Sequence, residues 1–336
     1  MANPLHCLLR RTTAASLAAI ALMAAGAPAS AADAVSPEVG AVDAFQGLFG
    51  KHPGFRLNHA KGIVLDATFT PTAEAAALSK AAIFAGAPTK VTVRFSDPGG
   101  NPGVKDNDPE ATPHGLALKF TLADKSEMDI AMISTKTFPV GSAADFRDLL
   151  LAIGSTKADS PKPSPIEAFL GAHPAALFWV QHLPAIPASL ATETYYGLNA
   201  YRFINKAGTA TNVRYRFVPV SGETHLAKED LAAKSPTFLM DEIQTRAKAG
   251  NAKFKFVAQV GAKDDKTSDV TVNWPDDRAL VTLGELAITG VVADSAAAEK
   301  AIVFMPSQVV DGIEASDDPM INSRSAAYAE SYGRRQ

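Results

Sequence analysis

From residue 62 to residue 292 the chain alternates between two hydrophobic periods. Short runs that alternate apolar with polar side chains, or are apolar throughout, are punctuated by Gly, Pro and Asn, which is the pattern of strands. Gly62–Phe69 is the first and stops at Thr70-Pro71. Lys90–Ser96, Gly115–Thr121 and Met128–Ile133 follow, then Tyr201–Ile204 and Asn212–Pro219 as a hairpin turning at Gly208, and finally Lys253–Val260, Val270–Trp274 and Thr282–Val292. Helical spacing fills the gaps: Asp43–Phe49 ending at Gly50, the alanine-rich Ala73–Phe84 closed by Gly86 and Pro88, Ala143–Ile153, the Pro-punctuated Ile166–Ser189, the charged Lys228–Ala249 and a terminal Ala326–Arg335. Strands in paired runs, without regular strand–helix alternation, predict an α+β fold with a largely antiparallel sheet. No repeat occurs at a solenoid period. The Pro/Ser-rich break at 157–165 is read as an excursion within one domain, 32–336, because the chemically informative segments lie on either side of it.

Composition narrows the classes. The 336 residues are 47% hydrophobic and 20% charged with a net charge of −3, enough for a sizeable core and too balanced for nucleic acid or an anionic membrane surface as the main partner. Arg10 and Arg11 precede an apolar run from Ala14 to Ala25, and Ala29-Ser30-Ala31 supplies a small-x-small cleavage pattern, so residues 1–31 are expected to be a cleaved export signal and the mature protein periplasmic. The run is too short to span a bilayer. Thr12-Thr13-Ala14 match a twin-arginine motif poorly, so Sec export is expected over Tat. The only cysteine, Cys7, falls in that signal, leaving the mature chain without disulfides or a thiol nucleophile.

Two stretches carry chemistry. Phe55-Arg56-Leu57-Asn58-His59-Ala60-Lys61-Gly62 offers a histidine able to exchange a proton near neutrality. A lone His beside Lys and Arg is ordinarily a solvated surface residue. Near the other end, Arg324 precedes Tyr328 by four residues and shares its helix face. A guanidinium there favours the phenolate, and a phenolate oxygen is a known proximal ligand of haem iron. The glycines of Asp97–Gly103 are not followed by a helix with Lys-Ser/Thr, so that segment reads as a turn and not a phosphate loop.

The segments "FRLNHAKG" and "RSAAYAESYGRR" resemble the distal-histidine and proximal-tyrosine segments of the haem catalases. "VTVRFSDPGG", "TPHGLALKF", "YRFINKAGTATNVRYRF", "VNWPDDRALVTLGELAITG" and "FMPSQVVDGIEAS" resemble further family segments, in family order, from about residue 43 to the C-terminus. The chain is shorter than a full catalase and is similar to the minimal, catalase-related peroxidases. The resemblance implies an antiparallel β-barrel of about eight strands, with surrounding α-helices and haem b buried against it.

It also implies roles. His59 is the distal acid–base and Ser96 fixes its tautomer. Tyr328 is the axial iron ligand and Arg324 keeps it ionised. Arg56, Arg94 and Arg335 pair with haem propionates. Two departures stand out. The family's distal asparagine is missing, and Thr137 falls nearest its place as a weaker donor. His114 stands where the family has arginine and receives no role. The expected activity is reduction of hydrogen peroxide or organic hydroperoxides at the expense of a small organic donor, with weak or no catalase activity, in a monomer or homodimer. A haem-binding or storage module, and a lipid hydroperoxide isomerase or dehydratase on the same fold, are the alternatives. His52, His173, His182 and His225 show no metal-ligand spacing and read as solvated or capped.

Overall fold

The structure, a computed structural model, describes residues 35–336. The expected export signal lies outside the described residues. Strands β1 (Gly62–Pro71), β2 (Thr89–Ser96), β3 (Gly115–Thr121) and β4 (Glu127–Ile133) form an antiparallel meander. The two-residue β5 (Tyr195–Tyr196) links β4 to β7 (Ala210–Pro219), β7 pairs with β8 (Lys253–Val260), β8 with β9 (Leu280–Val291), and β9 returns to β1. Those eight strands close on themselves. β6 (Tyr201–Ile204) and β10 (Ile313–Ala315) continue outward from the other part of β7.

The barrel is solid. The inward positions of β1 to β3 are Leu65, Ala67 and Phe69, then Val91, Val93 and Phe95, then Leu116, Leu118 and Phe120, all buried. Phe256 of β8 sits at the centre of the aromatic core, with ring centroids 4.5 Å from Phe217, 5.3 Å from Tyr215 and 5.8 Å from Phe69. An eight-stranded barrel is just wide enough for side chains to fill, so any ligand cavity must lie outside its wall. Phe256→Ala is expected to cost about 3–5 kcal/mol of unfolding free energy by urea titration. A cost below about 1 kcal/mol would mean that the rings repack freely.

Nine α-helices occur among the described residues. α1 (Pro37–Phe49) is capped by Ser36, whose hydroxyl accepts from Val39 N–H, and ends at Gly50 with φ 84°. α3 (Ala143–Ser155) packs against it through Phe45 and Phe146, 5.6 Å apart. α9 (Pro319–Arg335) begins seven residues before the expected start, because Asp318 caps it, accepting from Met320 N–H, and Pro319 fits its first turn. The remaining helices are α2 (Ala73–Leu78), α4 (Pro165–Ala172), α5 (Pro174–Gln181), α6 (Lys228–Ala232), α7 (Phe238–Lys248) and α8 (Ser295–Ala301).

Four expected elements are redrawn. Helix Ala73–Phe84 stops at Leu78, where Ser79 turns its hydroxyl to the Gly312 carbonyl and accepts from Ala81 N–H. Lys228–Ala249 is two helices broken at Ser235-Pro236, as the restriction before proline requires. Ile166–Ser189 is likewise two helices, the second starting at Pro174 and ending at Gln181. Val270–Trp274 is irregular and not a strand. The buried Arg214 guanidinium takes the Val272 carbonyl, together with those of Lys266 and Asp269 just before the segment, and stacks on Trp274, while the Val270 carbonyl accepts from Phe138 N–H.

Candidate active site

On the outer face of the barrel wall two rows of side chains run across three strands. One row is Ser96, Gly115 and Ile133; the other is Arg94, Ala117 and Ala131. Alternation puts these opposite the inward set. Glycine and alanines make the wall shallow, and α1, α3 and α9 roof it with Ala41, Val42, Phe45, Phe146, Ala327 and Tyr328. The enclosed cavity is about 220 Å³. Of the residues that sequence reading assigned, His59, Ser96, Arg56, Arg94, Arg324, Tyr328 and Arg335 all line it.

His59 lies on the segment between α1 and β1. Its φ of 54° is left-handed, an uncommon conformation for a non-glycine residue, and its backbone is pinned on both sides. Its N–H donates to Asn58 Oδ1 at 2.9 Å, and Arg94 Nη2 donates to its carbonyl at 2.8 Å. Asn58 Oδ1 also accepts from Gly99 N–H, so this side chain, missed in the sequence, locks the loop. Nδ1 of His59 lies 3.1 Å from Ser96 Oγ, and the Asp97 backbone also bonds the ring. A Cβ at position 115 would fall 2.5 Å from Ser96 Oγ and 2.9 Å from Nδ1, so glycine is what admits the imidazole. Burial first, then the charge of Arg94, pushes the His59 pKa down to about 3. The ring is therefore neutral at working pH and, with Nδ1 engaged, offers Nε2 as a base.

Tyr328 projects from α9 into the same cavity. Arg324 Nε and Nη2 donate to its hydroxyl oxygen at 3.2 and 2.9 Å. Arg324 is itself held by the Ala131 carbonyl and by Asn199 Oδ1, while Asn199 Nδ2 donates to Asp318, the cap of α9. Burial opposes the Arg324 charge, but Tyr328, Tyr201 and Asp318 outweigh it and hold the guanidinium above its ordinary pKa. Asn199 and Asp318 were not legible in the sequence, because neither stands near Tyr328 in a recognisable motif.

Thr137 is not where its expected role requires. Its carbonyl accepts from Thr135 Oγ1, which in turn accepts from Trp179 Nε1. That pinned turn leaves Phe138, held by the Val270 carbonyl, as the residue lining the cavity. His114, given no role, is wholly buried beside Glu193, with Nδ1 3.0 Å from Oε2, and 3.8 Å from Asp97. Burial opposes its charge, but Glu193 and Asp97 together raise its pKa. His52, His173 and His182 each bond a helical carbonyl three or four residues back.

Behind the distal loop Lys61 pairs with both Asp97 and Asp106. Burial first, then the charge of Asp106, pushes the Asp97 carboxyl from 3.8 up to about 7. Such an acid stabilises the fold fully below its unfolded pKa, and that contribution is lost as pH rises toward the folded value. Asp97→Asn removes the titration, so its melting temperature relative to wild type is expected to be more favourable at pH 8 than at pH 5 in parallel thermal melts. A difference that does not change with pH would refute the shift.

The residues present fit a flat dianionic macrocycle. The walls are apolar, His59 and Tyr328 are available to such a ligand, and the guanidiniums of Arg56, Arg94 and Arg335 converge with only Glu299 among them. Arg56 Nε is buried without a hydrogen-bond partner, a donor that a carboxylate would satisfy.

Residues 53–336 match the family model described as catalase. This chain belongs to the catalase family. It is 36% identical over 294 residues to the catalase-related peroxidase of Mycolicibacterium paratuberculosis, covering 87% of this chain and 92% of that protein. It is 34% identical over 310 residues to the catalase-related peroxidase of Synechococcus elongatus, covering 91% and 90%. Against Catalase-2 of Caenorhabditis elegans identity is 26%, with 83% of this chain and 59% of that protein covered. A fungal and a bacterial catalase of known structure superpose with TM-score 0.73 at 21% and 22% identity, over 85% of this chain and 60% and 58% of theirs. The catalase fold is thus shared, and the chain is an oxidoreductase of the catalase-related peroxidase type that acts on peroxide. Family membership implies a haem cofactor.

Proposed function

We propose that this catalase-family protein is a haem b peroxidase that reduces hydrogen peroxide or organic hydroperoxides while oxidising a small organic donor. The observation that carries the reading is the meeting, in one apolar cavity, of a neutral buried imidazole and a phenol held by a buried guanidinium. When bound, haem supplies an iron centre at which the peroxide O–O bond is broken and from which oxidising equivalents pass to a donor.

The chain's own part is proton handling and placement. His59 Nε2 takes the proton of the incoming peroxide oxygen and returns it to the departing one, so that water leaves. Ser96 keeps Nδ1 occupied, which holds the tautomer this requires. Tyr328 would hold the metal through its oxygen, to which Arg324 donates two N–H groups. Arg56, Arg94 and Arg335, which line the cavity, would receive the propionates, a carboxylate task suited to planar guanidinium groups.

Weak or absent dismutation is part of the same reading. Among the residues lining the cavity the only side-chain amide is Asn58, which braces the loop beside His59, and from the segment where the family's asparagine was expected it is Phe138, a side chain without a donor, that lines the cavity. The export expected from residues 1–31 would make the protein periplasmic, as a monomer or homodimer.

The test is the absorption spectrum of the purified protein before and after stoichiometric peroxide, then with a phenolic donor. A haem spectrum that changes on peroxide and is restored by the donor supports the reading. A colourless protein, a haem spectrum inert to peroxide, or rearrangement of a lipid hydroperoxide without any reductant each overturns it.

A further inference from the structure

Three arginines from distant parts of the chain meet at α8, two of them at the carboxylate of Glu299 and the third at backbone carbonyls beside it. Arg94 Nε donates to both oxygens of Glu299, at 2.8 and 2.6 Å. Arg56 Nε stands 3.6 Å from the same side chain, and its Nη2 donates to the carbonyls of Ile302 and Glu299. Arg335 binds the carbonyls of Lys300 and Ile302 from the end of α9. Glu299 therefore leaves the group with two uncompensated positive charges. Burial, and then the charges of Arg94 and Arg335, push the Arg56 pKa down to about 8, and Glu299 only partly offsets this. Glu299 does not line the cavity, whereas all three arginines do. It stands on α8, behind the guanidinium groups.

We propose that Glu299 is a built-in counter-ion for this rim: paired with Arg94 and Arg56 and close to Arg335, it offsets part of their charge in the absence of a ligand with two carboxylates and so sets how tightly that ligand is bound. The inference rests on the haem reading and concerns a residue to which that reading gives no part. Removing one partner of a buried ion pair strands the other charge. The protein without ligand therefore suffers most when Glu299 is neutralised, and a dianion arriving at the rim recovers part of the loss. Neutralising Glu299 should accordingly destabilise the protein and tighten binding of a dicarboxylate together. The same substitution should leave a ligand without carboxylates unaffected. A residue that merely braced the arginines would instead weaken the dicarboxylate when removed.

The experiment titrates the haem-free protein with metal-free protoporphyrin IX and with its dimethyl ester, following quenching of tryptophan fluorescence, so that the result does not depend on ligation by Tyr328. For Glu299→Gln the expected result is a lower melting temperature, diacid binding tightened about tenfold and diester binding unchanged. Diacid binding that weakens or stays constant in Glu299→Gln overturns the proposal. Should that variant fail to fold, Arg56→Gln with and without Glu299→Asp carries the test. Arg56→Gln is expected to weaken the diacid alone, and adding the shorter acid, which retreats from the guanidiniums, to restore part of the loss; no restoration overturns the proposal. A wild-type protein that binds neither porphyrin nor, in a parallel titration, ferric haem overturns the haem reading itself, and this inference with it; one that takes up haem but neither porphyrin overturns this inference alone. Equal binding of diacid and diester by wild type overturns this inference and the propionate role of the three arginines, and leaves the haem reading standing.

Discussion

Tyr328→Phe is expected to yield a folded protein that retains under about a tenth of the wild-type haem. The phenyl ring keeps the shape of the side chain and removes the phenol oxygen that Arg324 holds at the cavity, so the metal would lose its protein ligand. The ratio of haem to protein absorbance measures this, with circular dichroism confirming the fold. Arg324 loses the acceptor of two of its N–H groups at the same time. It keeps Asn199 and the Ala131 carbonyl, so a cost of about 1–3 kcal/mol in stability is expected rather than unfolding. Normal haem content in this variant would remove Tyr328 from the role of ligand.

The second large effect belongs to His59. His59→Ala is expected to bind haem normally and to react with peroxide about 10²–10⁴-fold more slowly, the range that a positioned acid–base group supplies. Stopped-flow absorbance after mixing with peroxide reads the rate directly. The pH dependence adds a sharper check. With the His59 pKa held near 3 by burial and Arg94, the wild-type rate should stay level as pH falls from 7 to about 4, well below the point where a free imidazole would have gained its proton. A rate that falls by half near pH 6.5 would mean that the ring is solvated. An unchanged rate in His59→Ala would remove it from proton transfer altogether.

Some of this was readable from residue order because it depends on local chemistry. Alternation in β1 to β4 followed from side chains that must be buried on one face, and the structure keeps those strands within one or two residues of the expected bounds. The relation of Arg324 to Tyr328 was readable because four residues on a helix always share a face. Other features were hidden for equally physical reasons. β5 has two residues and β10 three, too few to show any period. Val270–Trp274 has strand composition, but Arg214, more than fifty residues earlier, takes the Val272 carbonyl and those of Lys266 and Asp269 just before it. Thr137 was placed by alignment of short segments, and a single residue of offset in a turn was enough to bring Phe138 to the cavity instead.

The sequence by itself supplied the inventory: the longer strands of the sheet, and the imidazole and phenol, each with arginines nearby, that the family resemblance singles out. Only the tertiary structure decided the environment of each group, since desolvation and charge depend on neighbours brought together by barrel closure. Gly115 gives His59 its room, Asn199 and Asp318 anchor Arg324, and Glu299 counterbalances three arginines because β2, α8 and α9 meet at one corner of the wall. Those contacts join residues that are far apart in the chain, and no local pattern of hydrophobic and polar positions encodes them.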